Sequence, residues 1–193
     1  MNRTHLEYLA SPAWADTLQT DLLPWLESII QLGDDVLEIG PGPGLTTDLL
    51  RQRVAAVTAV EIDADLAADL KTRLAGTNVE VIWGDGTELP LPDDRFSAAT
   101  CFAMLHHMPS AAAQDQLFAE LHRVLRPGGS FVATDSLDTE RIRQAHTDDT
   151  YVPLDPATLE SRLRTAGFAD ITLTQGGEYR ERGDQIRVTA LKP

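Results

Sequence analysis

Short apolar, β-branched runs alternate with helical patterns along most of this chain, and that alternation limits the possible folds more than any other feature. Asp35–Gly40 (DVLEIG) reads as a buried strand, Thr46–Arg53 as a helix and Ala56–Ile62 (AVTAVEI) as a second strand. Asp63 then stands as an N-cap before Leu66, Leu70 and Leu74, four residues apart, and Gly76 is the stop. Val79–Asp85 and Phe96–Met104 read as the third and fourth strands. A helix over Ala111–Leu125, a turn at Pro127–Gly129 and a fifth strand over Ser130–Asp135 follow. Asp155-Pro156 opens a helix with proline in its first turn, Gly167 ends it, and Asp170–Gln175 and Gln185–Leu191 are two further strands. This order predicts an α/β, doubly wound, mostly parallel sheet with helices on both faces.

Ahead of the first strand, two helices are expected. One runs from Ala13 to about Asp21; the other covers Pro24–Gln31, with Trp25, Leu26, Ile29 and Ile30 as its apolar stripe and Gly33 as its C-cap. The 193 residues, 42% of them apolar, suffice for one domain with a real core. No apolar run reaches the ~18 residues of a membrane span. The start, MNRTHLEYLASPAW, lacks the apolar stretch of a secretory leader, and the single cysteine, Cys101, suits a reducing compartment, so a cytoplasmic location is expected. Acidic residues outnumber basic ones 30 to 16, for a net charge of −14. A chain that grips a phosphate backbone needs a basic stripe, so no nucleic-acid partner is expected.

The end of the first strand, Leu37–Gly44 (LEIGPGPG), is the most informative stretch. Gly40, Gly42 and Gly44 permit a tight turn and a close ligand approach. A dinucleotide fingerprint, G-x-G-x-x-G, would put its third glycine at Leu45, and Pro41 and Pro43 remove two amide donors that a pyrophosphate could use. Glu38 beside the turn would repel a diphosphate and attract a cation. A nucleoside ligand without phosphate fits better. In a doubly wound sheet such a ligand lies at the carboxyl ends of the strands. Glu61, 21 residues after Gly40, stands where a carboxylate accepts from ribose hydroxyls, or is a solvated loop acid. Asp85, after the third strand, can accept from an adenine amine while the Gly86 amide donates to a ring nitrogen, or the two are plain turn residues.

From about Asp35 to Asp135 the chain resembles the class I S-adenosylmethionine-dependent methyltransferases. "VLEIGPGPG" is similar to the first motif, "AVEID" to the second, "GDGTELPLPDDRFSAAT" to the third and the approach to strand four, and "LHRVLRPGGSFVATD" to the helix, turn and fifth strand. The resemblance implies a seven-stranded sheet of the Rossmann-like methyltransferase fold, whose last strand, Gln185–Leu191, runs antiparallel. It implies S-adenosylmethionine as cofactor, held by Glu38, Gly40, Gly42, Gly44, Glu61, Ile62, Asp85, Gly86 and Phe102. It also divides the chain into an N-terminal helical cap (1–33), a cofactor-binding core (34–135) and an acceptor-side segment with the C-terminal strands (136–193).

Methyl transfer from a sulfonium is an in-line displacement, so the protein has mainly to position the acceptor and exclude water. A base is needed only for an acceptor that must lose a proton. His106 and His107, after strand four, are the candidate catalytic residues. The irregular stretch Ser136–Pro153 would cover the acceptor, with Trp14 and Trp25 as further possible lining; His146 and Tyr151 within it read as ordinary surface residues. Adjacent histidines with no second ligand cluster predict no metal site. The Asn/Asp-Pro-Pro-aromatic run of base-amino methyltransferases is replaced by Cys101-Phe102-Ala103-Met104, and Cys101, after Thr100, reads as a buried thiol instead of a Pro-Cys nucleophile. "VLEIGPGPG…AVEID" is also similar to rRNA adenine dimethylases, but the charge and the strand-four residues argue against that activity. The expectation is methyl transfer to a small molecule. The rivals are a nicotinamide-dependent oxidoreductase and a non-catalytic, methyltransferase-like binding subunit.

Overall fold

A computed structural model describes residues 3–29, 32–175 and 184–193. Seven strands form one sheet: β1 (Asp35–Ile39), β2 (Ala56–Glu61), β3 (Val79–Trp83), β4 (Phe96–Phe102), β5 (Leu125–Ser136), β6 (Ala169–Gln175) and β7 (Gln185–Leu191). Their order is β3-β2-β1-β4-β5-β7-β6, and β7 alone runs antiparallel to both of its neighbours. The chain starts at β1, winds outward to β3, then returns to β4 on the other side. The carboxyl ends of β1 and β4 therefore flank the switch point at which this architecture binds ligands.

Side-chain alternation along the inner strands feeds two cores. Leu37 and Ile39 of β1 and Phe131 and Ala133 of β5 pack under the helices α6 (Ala111–Val124) and α8 (Pro156–Thr165). Val36, Ala98, Phe102 and Val132 point to the opposite face, against Leu18, Leu22 and Leu26 of the N-terminal helices and Leu49 and Leu50 of α4 (Leu45–Leu50). Helix α5 (Ala64–Arg73) covers β2 and β3 through Ala67 and Leu70. Its N-cap is Asp63, whose carboxylate accepts from the amides of Asp65 and Leu66, and Gly76 adopts φ +77° beyond its end.

Several boundaries differ from the sequence expectation. The N-terminal region holds α1 (Arg3–Leu9), α2 (Pro12–Thr17), a π-helical turn (Leu18–Leu22) and α3 (Leu23–Ile29), so Pro24 lies inside a nearly continuous helical run instead of opening a new one. The wide turn directly ahead of Pro24 absorbs the hydrogen bond that proline cannot make. Ile30 and Gln31, expected in the last turn, lie outside the described residues. Gly33 takes φ +79° and sits so close to Ser97 that a side chain there would collide with it. β4 ends at Phe102, short of Met104, because Ala103 turns the chain with φ +54°.

Pro127–Gly129 is not a turn between elements but a bulge inside β5. Phe96 pairs with Leu125 and Ala98 with Ser130, so residues 126–129 stand opposite Ser97 alone, three more than a regular ladder holds. Gly128 bonds the Lys192 carbonyl and Lys192 bonds that of Gly129, which fastens the bulge to the chain end. The stretch expected to be irregular, Ser136–Pro153, contains the short helix α7 (Glu140–Ala145), capped by Thr139. Arg187 of β7 pairs with Asp21 of the π turn and lies over the Trp25 ring, so one buried ion pair pins the N-terminal helices to the sheet. Among the described residues no helix is long and apolar enough to cross a membrane.

Candidate functional site

The glycine turn follows β1 directly, and its backbone donors can be accounted for one by one. The Gly40 amide extends the β1–β2 ladder to the Val60 carbonyl at 2.9 Å, Gly42 donates to Glu61 Oε2 at 3.0 Å, and Gly44 donates to the Pro41 carbonyl at 2.9 Å. Pro41 and Pro43 have no amide hydrogen. No N–H from Gly40 to Gly44 is left to grip a phosphate, so the turn is closed to the pyrophosphate recognition that glycine-rich turns perform elsewhere.

The glycines differ in what they require. Gly44, at φ +84°, approaches α5 so closely that a Cβ would strike Leu70 and Arg73. Gly40, at φ +67°, lies against Met104. Gly42, at φ +54°, has only open space before it; its left-handed conformation and the space in front of it suit an approaching ligand. Arg73 braces the turn, donating to the carbonyls of Pro43 and Gly44 and pairing with Asp48 at 2.5 Å. Nothing in the motif itself points to Arg73; its place in the last turn of α5 brings it there.

Two carboxylates stand behind the turn. Glu38 shares the face of Val36 by strand alternation and is buried against α4, where Thr47 Oγ1 donates to its Oε2 at 2.6 Å. Its Oε1 is buried with no hydrogen-bond partner among the described residues. Burial pushes the Glu38 carboxyl up to about 7, against the opposing pull of the Thr46 and Thr47 hydroxyls and with help from the nearby Glu61 and Asp48 charges. A buried carboxylate with one unpaired oxygen, beside a turn without free donors, suits a cation better than an anion. Glu61 uses Oε2 for Gly42 and Oε1 for the Asp63 amide at 3.0 Å, so it ties the turn to the end of β2. Each oxygen keeps a further lone pair for a hydroxyl donor.

The third strand end is brought alongside by backbone. Gly84 donates to the Glu61 carbonyl at 3.0 Å, and Gly86 approaches Ile39 and Leu117 so closely that an added Cβ would lie 3.2 and 3.1 Å from them. Asp85 itself is exposed and folds into its own turn, accepting from the amide and hydroxyl of Thr87, both at 2.8 Å. Ile62 and Trp83 are 67% and 70% exposed, and the Trp83 indole donates to the Ile62 carbonyl at 3.1 Å. These two apolar side chains border Glu61 and offer a flat surface to a ring. Trp83 was not expected at the site; an aromatic residue directly before Gly84-Asp85 is the signal that could have found it. Phe102 is buried at the end of β4 and, with Leu9, Trp14, Gly40, Gly42 and Thr46, lines a small pocket beside the turn. Trp14 thus reaches the site, whereas Trp25 lies in the core under Arg187.

On the other side of β4, the expected catalytic histidines form a short 3-10 helix, Leu105–His107. Asp135, at the end of β5, organises it. Its carboxylate accepts from the amides of Leu105 and Ser136, and His106 Nδ1 lies 2.5 Å from its Oδ1. His106 is 1% exposed. His146 is not on the surface as expected but buried at the end of α7. It packs edge-on to His106 with ring centroids 4.7 Å apart, and half-buried Tyr151 stacks on it. Three histidines therefore meet where chain separation suggested only a pair.

The chain's residues 37–133 match the model of a methyltransferase domain family. A probable S-adenosylmethionine-dependent methyltransferase of Mycolicibacterium smegmatis is 34% identical over 144 residues, 70% of this chain and 52% of that protein. Ribosomal RNA small subunit methyltransferase A of Parasynechococcus marenigrum is 40% identical over 101 residues, 51% of this chain and 33% of that protein. The chain thus spans about half the length of the first relative and a third of the second. Among solved structures, an S-adenosylmethionine-dependent methyltransferase from Aquifex aeolicus superposes over all of both chains with a TM-score of 0.76 at 19% identity, which shows the same fold.

Proposed function

The chain belongs to the methyltransferase domain family, and on that premise we propose that it transfers a methyl group from S-adenosylmethionine to a small-molecule acceptor. The observation that carries the choice of cofactor is the glycine turn with all its amides spent and a buried, unsatisfied carboxylate behind it. That arrangement rejects a diphosphate and suits a ligand with cationic groups and no phosphate. In this reading Glu61 accepts from the ribose hydroxyls while keeping the Gly42 amide. Glu38 balances the ligand's positive charge, Ile62 and Trp83 flank the adenine, and Asp85 with the Gly86 amide reads its edge. Gly40 and Phe102 line the small pocket that would take the tail, and Gly44 lets the turn close against α5. The cofactor supplies an electrophilic methyl group; the residues of this chain orient the partners and keep water out. For a hydroxyl acceptor, His106 and His107 are placed to take the proton on the β4 side.

The net charge of −14 supports a small acceptor over a polyanion. Ribosomal RNA is the second reading, favoured by the 40% identity to an enzyme of that name. Calorimetric titration with S-adenosylhomocysteine and with NADH tests the cofactor assignment. One S-adenosylhomocysteine per chain and no heat from NADH is the expected result, and the reverse would restore the oxidoreductase reading. Methyl transfer from labelled cofactor to a small-molecule pool or to 16S RNA then decides the acceptor class.

A further inference from the structure

The three histidines on the β4 side come from two separate stretches. His106 and His107 follow β4, and His146 follows α7, 39 residues after His107. Their ring centroids lie 4.2 Å (106–107), 4.7 Å (106–146) and 5.2 Å (107–146) apart, and one ring nitrogen from each lies within 4.8 Å of the other two. Each ring also directs Nδ1 at an acceptor that the fold supplies. For His106 this is the Asp135 carboxylate at 2.5 Å, for His107 the Thr150 carbonyl at 3.2 Å with Asp149 Oδ2 at 3.7 Å, and for His146 the Ile142 carbonyl at 2.7 Å. An imidazole whose Nδ1 faces an acceptor keeps its proton there, which leaves the lone pair on Nε2. Metal-binding histidines are built in this way: the second nitrogen is held by a carboxylate or carbonyl that sets the tautomer and strengthens the first as a donor.

We propose that His106, His107 and His146 bind one divalent transition-metal ion of the zinc type, with Asp135, Thr150 and Ile142 orienting the rings. Three imidazoles are a ligand set that zinc, cobalt, nickel and copper accept, and zinc leaves a fourth position for water or another oxygen donor. The ion is held by nitrogen, because the only cysteine, Cys101, lies in β4 with its thiol pushed well above the ordinary range by burial. Tetrahedral zinc at ~2.05 Å from each nitrogen sets the nitrogens ~3.3 Å apart, so the rings close by at most about 1.5 Å on loading. The ion then fastens the stretch after β5 to the ends of β4 and β5. Two contacts already dock that stretch: Val152 donates to the His106 carbonyl at 2.8 Å, and Gln114 bridges the carbonyls of Leu105 and Val152. A lone pair given to the ion cannot also take the acceptor's proton, so in the loaded protein a hydroxyl acceptor bound to the ion would lose its proton to water and His106 and His107 would not act as bases.

The site is tested by metal binding alone, which keeps its outcome separate from that of the cofactor assignment. Untagged full-length protein is stripped with a chelator and titrated with cobalt(II) and with zinc(II) against a chromophoric competitor. We expect one ion per chain, the intense visible bands of four-coordinate cobalt, an X-ray absorption shell with three imidazole nitrogens, and a higher Tm in the presence of zinc. His146→Gln is expected to weaken binding more than a hundredfold and abolish the Tm rise. Asp135→Asn, which keeps all three ligands but changes the carboxylate that orients the His106 ring, is expected to weaken it ten- to a hundredfold. Absence of stoichiometric binding by the unaltered protein would overturn the site, as would an absorption shell without histidine. Binding that survives His146→Gln unchanged would do the same. Should the variants not fold, the absorption shell of the unaltered protein decides by itself.

Discussion

The two sides of the crevice are built on different principles. On the β1 side the polar groups come from short contiguous stretches: eight residues supply Glu38 and the three glycines, and the next strand end supplies Glu61. On the β4 side, His106, His107, Asp135 and His146 come from three places in the chain and meet only because β4 and β5 are neighbours and α7 folds back over them. The first side rests on backbone conformation, with hydrogen bonds that a carboxylate and a turn make almost locally. The second rests on a buried side-chain network that exists only in the complete fold.

This contrast can be broken most decisively at Asp135. Its carboxylate serves three amides and a buried imidazole, so Asp135→Ala leaves several buried donors unpaired and is expected to cost about 3–5 kcal/mol in urea unfolding. A loss below about 1 kcal/mol would show that the β4 side is not a network.

Glu38 gives the next largest effect, through pH. Its carboxyl titrates near 4.5 when unfolded and at about 7 when folded. Between those values the native state holds the extra proton, so stability falls as pH rises through that window. About 3 kcal/mol present below it is gone above pH 7. Glu38→Gln is expected to flatten that slope, as read from denaturation midpoints between pH 4.5 and 8. The same carboxylate makes cofactor affinity rise as pH passes 7, with protons released on binding.

Glu61→Ala removes the acceptor for Gly42 and for the ribose. It is expected to weaken S-adenosylhomocysteine by about 1.5–3 kcal/mol, roughly ten- to a hundredfold, in calorimetry. The smallest change belongs to Asp85→Ala, about 1 kcal/mol, because that carboxylate is exposed and already engaged with Thr87. A loss as large as that of Glu61→Ala would mean that Asp85 leaves its turn when the cofactor binds, and would sharpen the contrast between the two acids.

What could be read from the sequence follows the same division. The seven strands, the doubly wound class and the glycine turn were legible because strand alternation, glycine and proline constrain the backbone within a few residues, whereas the antiparallel β7 was legible only through the family resemblance. The spacing of two strand ends put Glu61 near the glycine turn, but its direct bond to the Gly42 amide is seen only in the fold. His146 was misread as a surface residue because the stretch around it is charged and poor in large apolar residues; packing against His106 and Tyr151 buries it in the fold. Trp83 and Arg73 were missed for a related reason. An exposed edge-strand tryptophan and a last-turn arginine have ordinary local explanations, and only the fold shows what they touch. The bulge at Pro127–Gly129 was taken for a turn because its three extra residues carry turn chemistry, and only the pairing of Phe96 with Leu125 reveals a continuous strand.

The ion pair between Asp21 and Arg187 joins positions 166 residues apart. Synthesis makes Asp21 long before Arg187, so the buried anchor between the N-terminal helices and the sheet can form only after β7 has been made and has taken its place beside β5.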